Sequence, residues 1–337
     1  VGDSERDDAA QLERVRGLRI AIVGYGNQGR AQALNLRDSG CDVRVGLPEV
    51  SQTREVARQD GFAVDDTTAV SSWADLIAIL APDQVQGSVY TAEVRECVHR
   101  GDTLLFSHGF SLRFGQIAPP PDVDVVLVAP VGPGHTLRRL FLEGFGIPAV
   151  WAVQQDASGS AEQTAVSYAT ALGCARAGIV KTTIEEETEI DLFGEQAVLC
   201  GGLSHLIKAG YATLVKAGYQ PDLAYFECVH QVKLIVDLIY DEGIAGMHRR
   251  ISDTAKYGDY VSGPRVIGTE VREAMEAVLE DIRDGSFARR WLAEVGAGMP
   301  LVERVRAEEE RSDVEAVGNR LRAQMGLGRG EQRDESA

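Results

Sequence analysis

Positive charge is scarce in this chain. Thirty-four Lys and Arg stand against 51 Asp and Glu, a formal net charge of -17. Every phosphate contact needs a cation, so this balance works against nucleic acid as a partner. Cysteine is equally sparse. Cys41, Cys97, Cys174, Cys200 and Cys228 are odd in number and show no paired metal-ligand spacing. They read as small buried residues of a reduced compartment rather than as a disulfide framework or a zinc site. No apolar run is read as long enough to span a membrane, and residues 1 to 16 are acidic and polar rather than a basic start followed by an apolar core. The expectation is therefore a cytoplasmic protein without a membrane partner.

What the chain does have is length and alternation. Its 337 residues suffice for two domains with a core each, and 44% hydrophobic with 25% charged residues is a globular composition. Arg19 to Val23, Asp42 to Val45, Leu76 to Leu80, Thr103 to Phe106, Val123 to Val128 and Ala149 to Val153 read as strands, with helical stretches such as Gln28 to Asp38 and Ala161 to Leu172 between them. Alternation of this kind predicts an α/β fold, a doubly wound and mostly parallel sheet with helices on both faces. From about Thr182 the strands stop and helices follow, Glu185 to Lys216 and Leu223 to Asp241 first, then others to about Gln324. The expected organisation is a Rossmann domain over 1–182, a helical domain over 183–325 and a frayed tail over 326–337, without internal repeat.

Gly24-Tyr25-Gly26-Asn27-Gln28-Gly29 follows the first strand and opens a helix, the context that makes a glycine fingerprint meaningful. Gly24 permits the tight turn, Gly26 lets backbone approach a pyrophosphate, and Gly29 lets helix and strand pack. No acid ends the second strand to take the ribose hydroxyls. The following loop carries Ser51, Thr53 and Arg54, a set suited to a 2'-phosphate, with Glu49 as the opposing signal. NADPH is expected, with NADH as the alternative.

The helical half supplies acids four residues apart, Asp191 with Glu195 and Glu227 with Gln231. That spacing places each pair on one helix face, and those faces are otherwise apolar. By contrast, Lys233, Asp237 and Asp241 form a solvated face, so Glu227 is expected on the buried side. Converging carboxylates on bundle helices are commonly held by a divalent cation, and oxygen-only ligands suit Mg²⁺. The competing explanation is a polar seam between subunits. His108 ends the strand through Phe106, where doubly wound sheets present their ligand crevice, and can handle protons there; His135, on the Gly132-Pro133-Gly134 loop, is the weaker site residue.

The fingerprint, Ser107-His108-Gly109-Phe110, Ala129 to His135, Glu186 to Gln196, the Phe226-Glu227-Cys228 helix and Ser252 to Ala255 before Tyr257 to Tyr260 together resemble short-form ketol-acid reductoisomerase, over about residues 5 to 325. The resemblance implies a Rossmann domain followed by a knotted helical domain that interlocks with a second subunit, hence a homodimer or higher homo-oligomer. It implies an Mg²⁺-assisted alkyl shift of 2-acetolactate or its ethyl homologue, followed by reduction with NADPH. By position, Asp191 would bridge two Mg²⁺ ions, Glu195 and Glu227 would each ligate one, Ser252 would hold the substrate carboxylate end and His108 would handle the proton. Tyr25, Asn27, Gln28, Ser51, Thr53, Asp83, Gln84, Val85, Gln86 and Gly134 would line the cofactor with the three fingerprint glycines.

Four positions depart from the family pattern. Val131 stands for a Lys, Gln231 for a carboxylate, Arg250 for a small residue and Pro48 for a basic adenine-stacking residue. The first two remove one charge of each sign, which leaves the formal charge of the site unchanged. On that balance a diverged reaction on a small 2-keto or 2-hydroxy acid is expected, reduction alone or ring closure in specialised metabolism. The alternatives are a genuine reductoisomerase of valine and isoleucine synthesis and a non-catalytic scaffold.

Overall fold

The structure, a computed structural model, describes residues 2–326; Val1 and 327–337, which hold nearly all of the expected tail, lie outside the described residues. Eight strands form one sheet: β1 (Arg19–Val23), β2 (Asp42–Gly46), β3 (Ala63–Asp65), β4 (Leu76–Ile79), β5 (Thr103–Phe106), β6 (Asp124–Pro130), β7 (Ala149–Gln155) and β8 (Ile179–Lys181). Their order is β3-β2-β1-β4-β5-β6-β7-β8, and every neighbouring pair is parallel except β6 with β7. Sequence order reverses between β1 and β4, the switch point at which a doubly wound sheet opens its ligand crevice. The predicted Rossmann fold is thus the observed one.

Burial on both faces explains the aliphatic runs. Leu76–Ile79 and Thr103–Phe106 are buried throughout, as strands covered by helices on two sides must be. Two apolar clusters flank the sheet, one around Ile20, Ile22, Leu36 and Tyr168, the other around Ile77, Ile79, Leu104 and Phe106.

The first compact unit ends at Ile190 and the second starts at Asp191. Among the described residues the second unit is all-helical, and its buried cluster is small: Tyr211, Ala224, Tyr225, Val317 and Leu321. Many apolar side chains stay exposed on it, including Val198, Leu199, Leu234, Val236, Tyr240 and Ile244.

In the helical half, two helices depart from the expected regular geometry. Residues 184–216 form one continuous helix containing a π-helical turn at Gly194–Leu199, and a second π turn at Phe226–His230 leads into Gln231–Arg250. That second run breaks at Gly243, whose φ of 73° only glycine adopts readily. The helix Ile184–Lys216 also corrects the sequence-based view of apolar runs. Over its 33 residues it is long and apolar enough to cross a membrane by length and composition. Its acids cluster toward the start, which leaves a stretch from Gln196 to Val215 with Lys208 as its one charged side chain.

Candidate functional site

The nucleotide end is built where β1 and β2 finish. Gly24 leaves β1 at φ 101°, and a Cβ on it would lie 2.6 Å from the backbone nitrogen of Ala81. A Cβ on Gly29 would lie 2.2 Å from the Gly24 carbonyl oxygen. Both glycines are required by the protein's own packing. Gly26 differs: nothing lies within 4 Å of its would-be Cβ, so the space above the turn is open. An exposed backbone at the start of the helix Asn27–Asp38 fits close approach by a phosphate, which a side chain at 26 would obstruct.

The turn is tied to the loop after β6. Gln28 Nε2 donates to the Gly132 carbonyl at 2.8 Å, and the His135 amide donates to Asn27 Oδ1 at 3.1 Å. Gly134 approaches so closely that a Cβ there would meet the Asn27 carbonyl oxygen at 2.1 Å. Tyr25 turns inward: it is 4% exposed, and its hydroxyl donates to Asp60. Burial and the Asp60 carboxylate hold that phenol well above its ordinary range. Tyr25 can line a cofactor through its backbone, not its hydroxyl.

After β2, the Ser51 and Thr53 hydroxyls pair at 2.9 Å, and the Arg54 guanidinium donates to the Leu47 carbonyl at 2.6 Å. An open cavity of about 510 Å³ is lined by Glu49, Ser51, Gln52, Arg54, Glu55 and Arg58. Arg58 was absent from the sequence-based set. Its signal was available, since it follows Arg54 by one helical turn on Thr53–Gln59. After β4, Asp83 opens the helix Asp83–Val89; Gln84 and Val85 follow on it, Val85 being exposed. Gln86 is buried, donates to the Ala81 carbonyl at 2.9 Å and accepts from Ser111 at 2.8 Å, so its side chain braces the loop.

His108 sits two residues beyond β5. Its Nδ1 lies 3.2 Å from Glu187 Oε1, and its Nε2 lies 4.0 Å from Asp83 Oδ2. Glu187 also accepts the Gly109 amide at 2.8 Å, and a Cβ on Gly109 would meet the Thr188 hydroxyl oxygen at 2.1 Å. This explains Ser-His-Gly: the glycine admits the helix Ile184–Phe193 against the strand end, and the helix brings a buried carboxylate to the imidazole. Sequence reasoning missed Glu187 because it stands in the acidic run Glu185 to Glu189, which resembles a solvated face.

In the second unit the acids lie otherwise than expected. Asp191, Glu195, Glu227 and Gln231 are all exposed in the single chain, so the prediction of a buried side for Glu227 fails. The cause is the small core, which leaves the apolar neighbours Val198 and Leu234 uncovered as well. Glu195 and Glu227 also fall within the two π turns, which shift helix phase and undo the simple one-face assignment for Asp191, Glu195, Val198 and Gly202. Lys233 and Asp237 do pair on a solvated face at 2.5 Å. Gln231 Nε2 donates to Glu227 Oε1 at 2.8 Å. The donor set offers only oxygens and suits a hard cation.

Ser252 caps the helix Asp253–Val266, its oxygen accepting the Ala255 amide at 3.2 Å. The hydroxyl hydrogen at this positive helix end suits a carboxylate. Arg250 is held by Glu242 at 2.7 Å. Of the cysteines, Cys41, Cys97 and Cys174 are buried as expected, whereas Cys200 is exposed and Cys228 half-buried; all five are free thiols.

Comparison with known proteins agrees across both halves. Residues 14–178 match the family described as acetohydroxy acid isomeroreductase, NADPH-binding domain, and residues 184–326 match ketol-acid reductoisomerase, C-terminal domain. A ketol-acid reductoisomerase (NADP(+)) of Saccharopolyspora erythraea is 52% identical over 319 residues, covering 95% of this chain and 96% of the relative. The structure of an NADH-preferring ketol-acid reductoisomerase from an uncultured archean superposes with a TM-score of 0.91 at 43% identity, over 93% of this chain and 96% of the other. A semialdehyde dehydrogenase NAD-binding protein from Cupriavidus necator shares the fold alone, with a TM-score of 0.58 at 18% identity over 79% of this chain and 99% of that one.

Proposed function

We infer, from the premise that this chain belongs to the ketol-acid reductoisomerase family and is an NADP-dependent oxidoreductase and isomerase, that it performs the family's parent reaction. The substrate is 2-acetolactate or its ethyl homologue, rearranged by an alkyl shift and then reduced, as in valine and isoleucine synthesis. Identity of 52% spread over 95% of the chain is the observation that supports this most directly. It displaces the diverged reaction favoured on Val131 and Gln231 alone, since two substitutions weigh less than retention of His108, Asp191, Glu195, Glu227 and Ser252 together. The same retention opposes a non-catalytic scaffold.

Residues 1–182 are assigned to the nucleotide and 183–325 to metal, substrate and assembly. NADPH would rest its pyrophosphate on the open turn at Gly26 and its 2'-phosphate near Ser51, Thr53, Arg54 and Arg58, where the Ser51 hydroxyl and the two guanidinium groups line the cavity beside Glu49 and Glu55. Asp191, Glu195, Glu227 and Gln231 would hold Mg²⁺. Bound cations supply polarisation of the ketone and stabilisation of the alkoxide, and the nicotinamide supplies a hydride. Glu187 orients the imidazole of His108 through Nδ1, which assigns proton exchange to Nε2. Ser252 donates to the substrate carboxylate.

Exposed apolar residues on the helical unit support assembly as a homodimer or a multiple of one, because such faces need cover. An NADPH-dependent biosynthetic role supports a cytoplasmic location. The deciding experiment is turnover of 2-acetolactate with NADPH and Mg²⁺, followed at 340 nm with product identification. Steady formation of the reduced dihydroxy acid is expected. Tight binding of both cofactors without turnover would instead favour reduction alone or ring closure, the reading that Val131 and Gln231 support.

A further inference from the structure

The candidate nucleotide site has two ends on neighbouring strands. The fingerprint turn follows β1, and the segment carrying Ser51, Thr53, Arg54 and Arg58 follows β2. A 2'-phosphorylated dinucleotide needs both ends at a fixed separation, because its pyrophosphate and its 2'-phosphate belong to one molecule.

Asp60 links them. It terminates the helix Thr53–Gln59, where a carboxylate faces the negative end of the helix and is disfavoured by its own element. Its partners come from the fingerprint and the helix it opens. The Tyr25 hydroxyl donates to Asp60 Oδ2 at 2.8 Å, and Arg30 donates through Nε to Oδ2 at 2.7 Å and through Nη2 to Oδ1 at 3.0 Å. Arg37, on the same helix as Arg30, donates to the Asp60 carbonyl and lies 5.2 Å over the Phe62 ring, which meets Tyr25 edge-on at 5.9 Å. The Asp60 side chain is 16% exposed, so water competes weakly for these charge-assisted bonds. A carboxylate kept at an unfavourable helix end and saturated by three donors from the pyrophosphate element acts as a latch between elements.

We propose that Asp60 is a positioning residue for nucleotide discrimination, fixing the 51–59 segment against the fingerprint so that NADPH is gripped at both ends. The proposal rests on the NADPH reading above. A nucleotide without the 2'-phosphate lacks the second charged grip and depends less on the latch. Loosening it therefore penalises NADPH selectively.

The test is titration of the full-length chain with NADPH and with NADH, for the wild type, Asp60→Asn and Tyr25→Phe. Asp60→Asn is expected to weaken NADPH about tenfold and NADH by less than about threefold, the range of a lost charge-assisted hydrogen bond. Tyr25→Phe is expected to shift the ratio in the same direction by a smaller factor. In turnover the loss should fall on KM for NADPH rather than on kcat, which a general weakening of the fold would not produce. Should Asp60→Asn not fold, Tyr25→Phe removes a single hydroxyl and reads the same ratio. A wild-type NADPH preference that survives both substitutions, or equal weakening of both nucleotides, would overturn the proposal alone. A wild type that binds NADH more tightly would remove the NADPH reading and the proposal with it.

Discussion

The side-chain amide of Gln231 donates to the carboxylate of Glu227 across 2.8 Å, one residue in a π turn and the other at the start of the helix that follows. A carboxylate at 231 would have no proton to offer at neutral pH, and the pair would repel unless a cation came between them. The amide satisfies Glu227 without a metal and supplies a neutral oxygen where a charged one would bind more tightly.

With Mg²⁺ held as proposed, two sites of unequal strength are expected, the firmer at Asp191 and Glu195 and the weaker at Glu227. Gln231→Glu should tighten the weaker by about 1 to 3 kcal/mol, roughly fivefold to 150-fold. Calorimetric titration of wild type and variant reads this directly. Two equally tight sites in the wild type would contradict it.

The fingerprint glycines separate by what surrounds them. Gly26→Ala meets nothing within 4 Å and should fold as the wild type does while losing nucleotide affinity, by about 1 to 3 kcal/mol if one backbone bond to phosphate is lost. Gly29→Ala drives a methyl to 2.2 Å from the Gly24 carbonyl oxygen and should destabilise the fold itself, by about 1 to 3 kcal/mol. Thermal melts with and without NADPH distinguish the two losses. Equal melting temperatures for the two apo variants would show that the 26 and 29 positions do not differ in this way.

The sheet was legible because β1, β2, β4, β5, β6 and β7 are aliphatic runs bounded by polar turns. β3 and β8 were not, since Ala63–Asp65 and Ile179–Lys181 are three residues each and too short for a pattern to emerge. The acids at 191, 195 and 227 were legible by spacing, but their surroundings were not. A π turn inserts one residue per turn without altering composition, so the phase after Gly194 and Phe226 is invisible to a periodicity of 3.6. Glu187 was hidden for a different reason: only the strand end at Gly109 distinguishes it from Glu185, Glu186 and Glu189.

Glu187→Ala should therefore act on stability and on chemistry together. It leaves the Gly109 amide buried without its acceptor, a cost of about 1 to 3 kcal/mol, and releases the imidazole of His108. Urea denaturation should show the first effect and a fall in kcat with altered pH dependence the second. Glu187→Ala with wild-type stability would mean that water replaces the carboxylate.

Acid should loosen the latch at Asp60. Burial alone would raise its pKa, but hydrogen bonds from Arg30 and Tyr25 outweigh it, so the folded carboxyl titrates below its ordinary value. A depressed pKa contributes stability that is present above the unfolded value, about 3.9, and is lost as pH falls through the folded one. Asp60→Asn should accordingly flatten the acid limb below about pH 4 in denaturation curves. An unchanged acid limb in that variant would assign the loss to other carboxylates.

On the reaction proposed above, Val131 and Gln231 are expected to bear on the rate. Val131 is 60% exposed just beyond β6, its amide donating to the Pro148 carbonyl at 2.8 Å, so the backbone is fixed and the side chain carries the departure from the Lys that the resemblance implies. A cation at a developing oxyanion can contribute about 3 to 4 kcal/mol, or two to three powers of ten in rate. Val131→Lys alone adds a positive charge without its balancing carboxylate, and Gln231→Glu alone adds a negative one. The two together restore both at unchanged net charge. They should raise kcat/KM for 2-acetolactate by more than the product of the single effects, a coupling that a double-mutant cycle measures. Strict additivity would show that the two positions changed independently. A double variant slower than the wild type would mean that the chain has rebuilt its chemistry around Val131 and Gln231, with Arg250 the next position to restore.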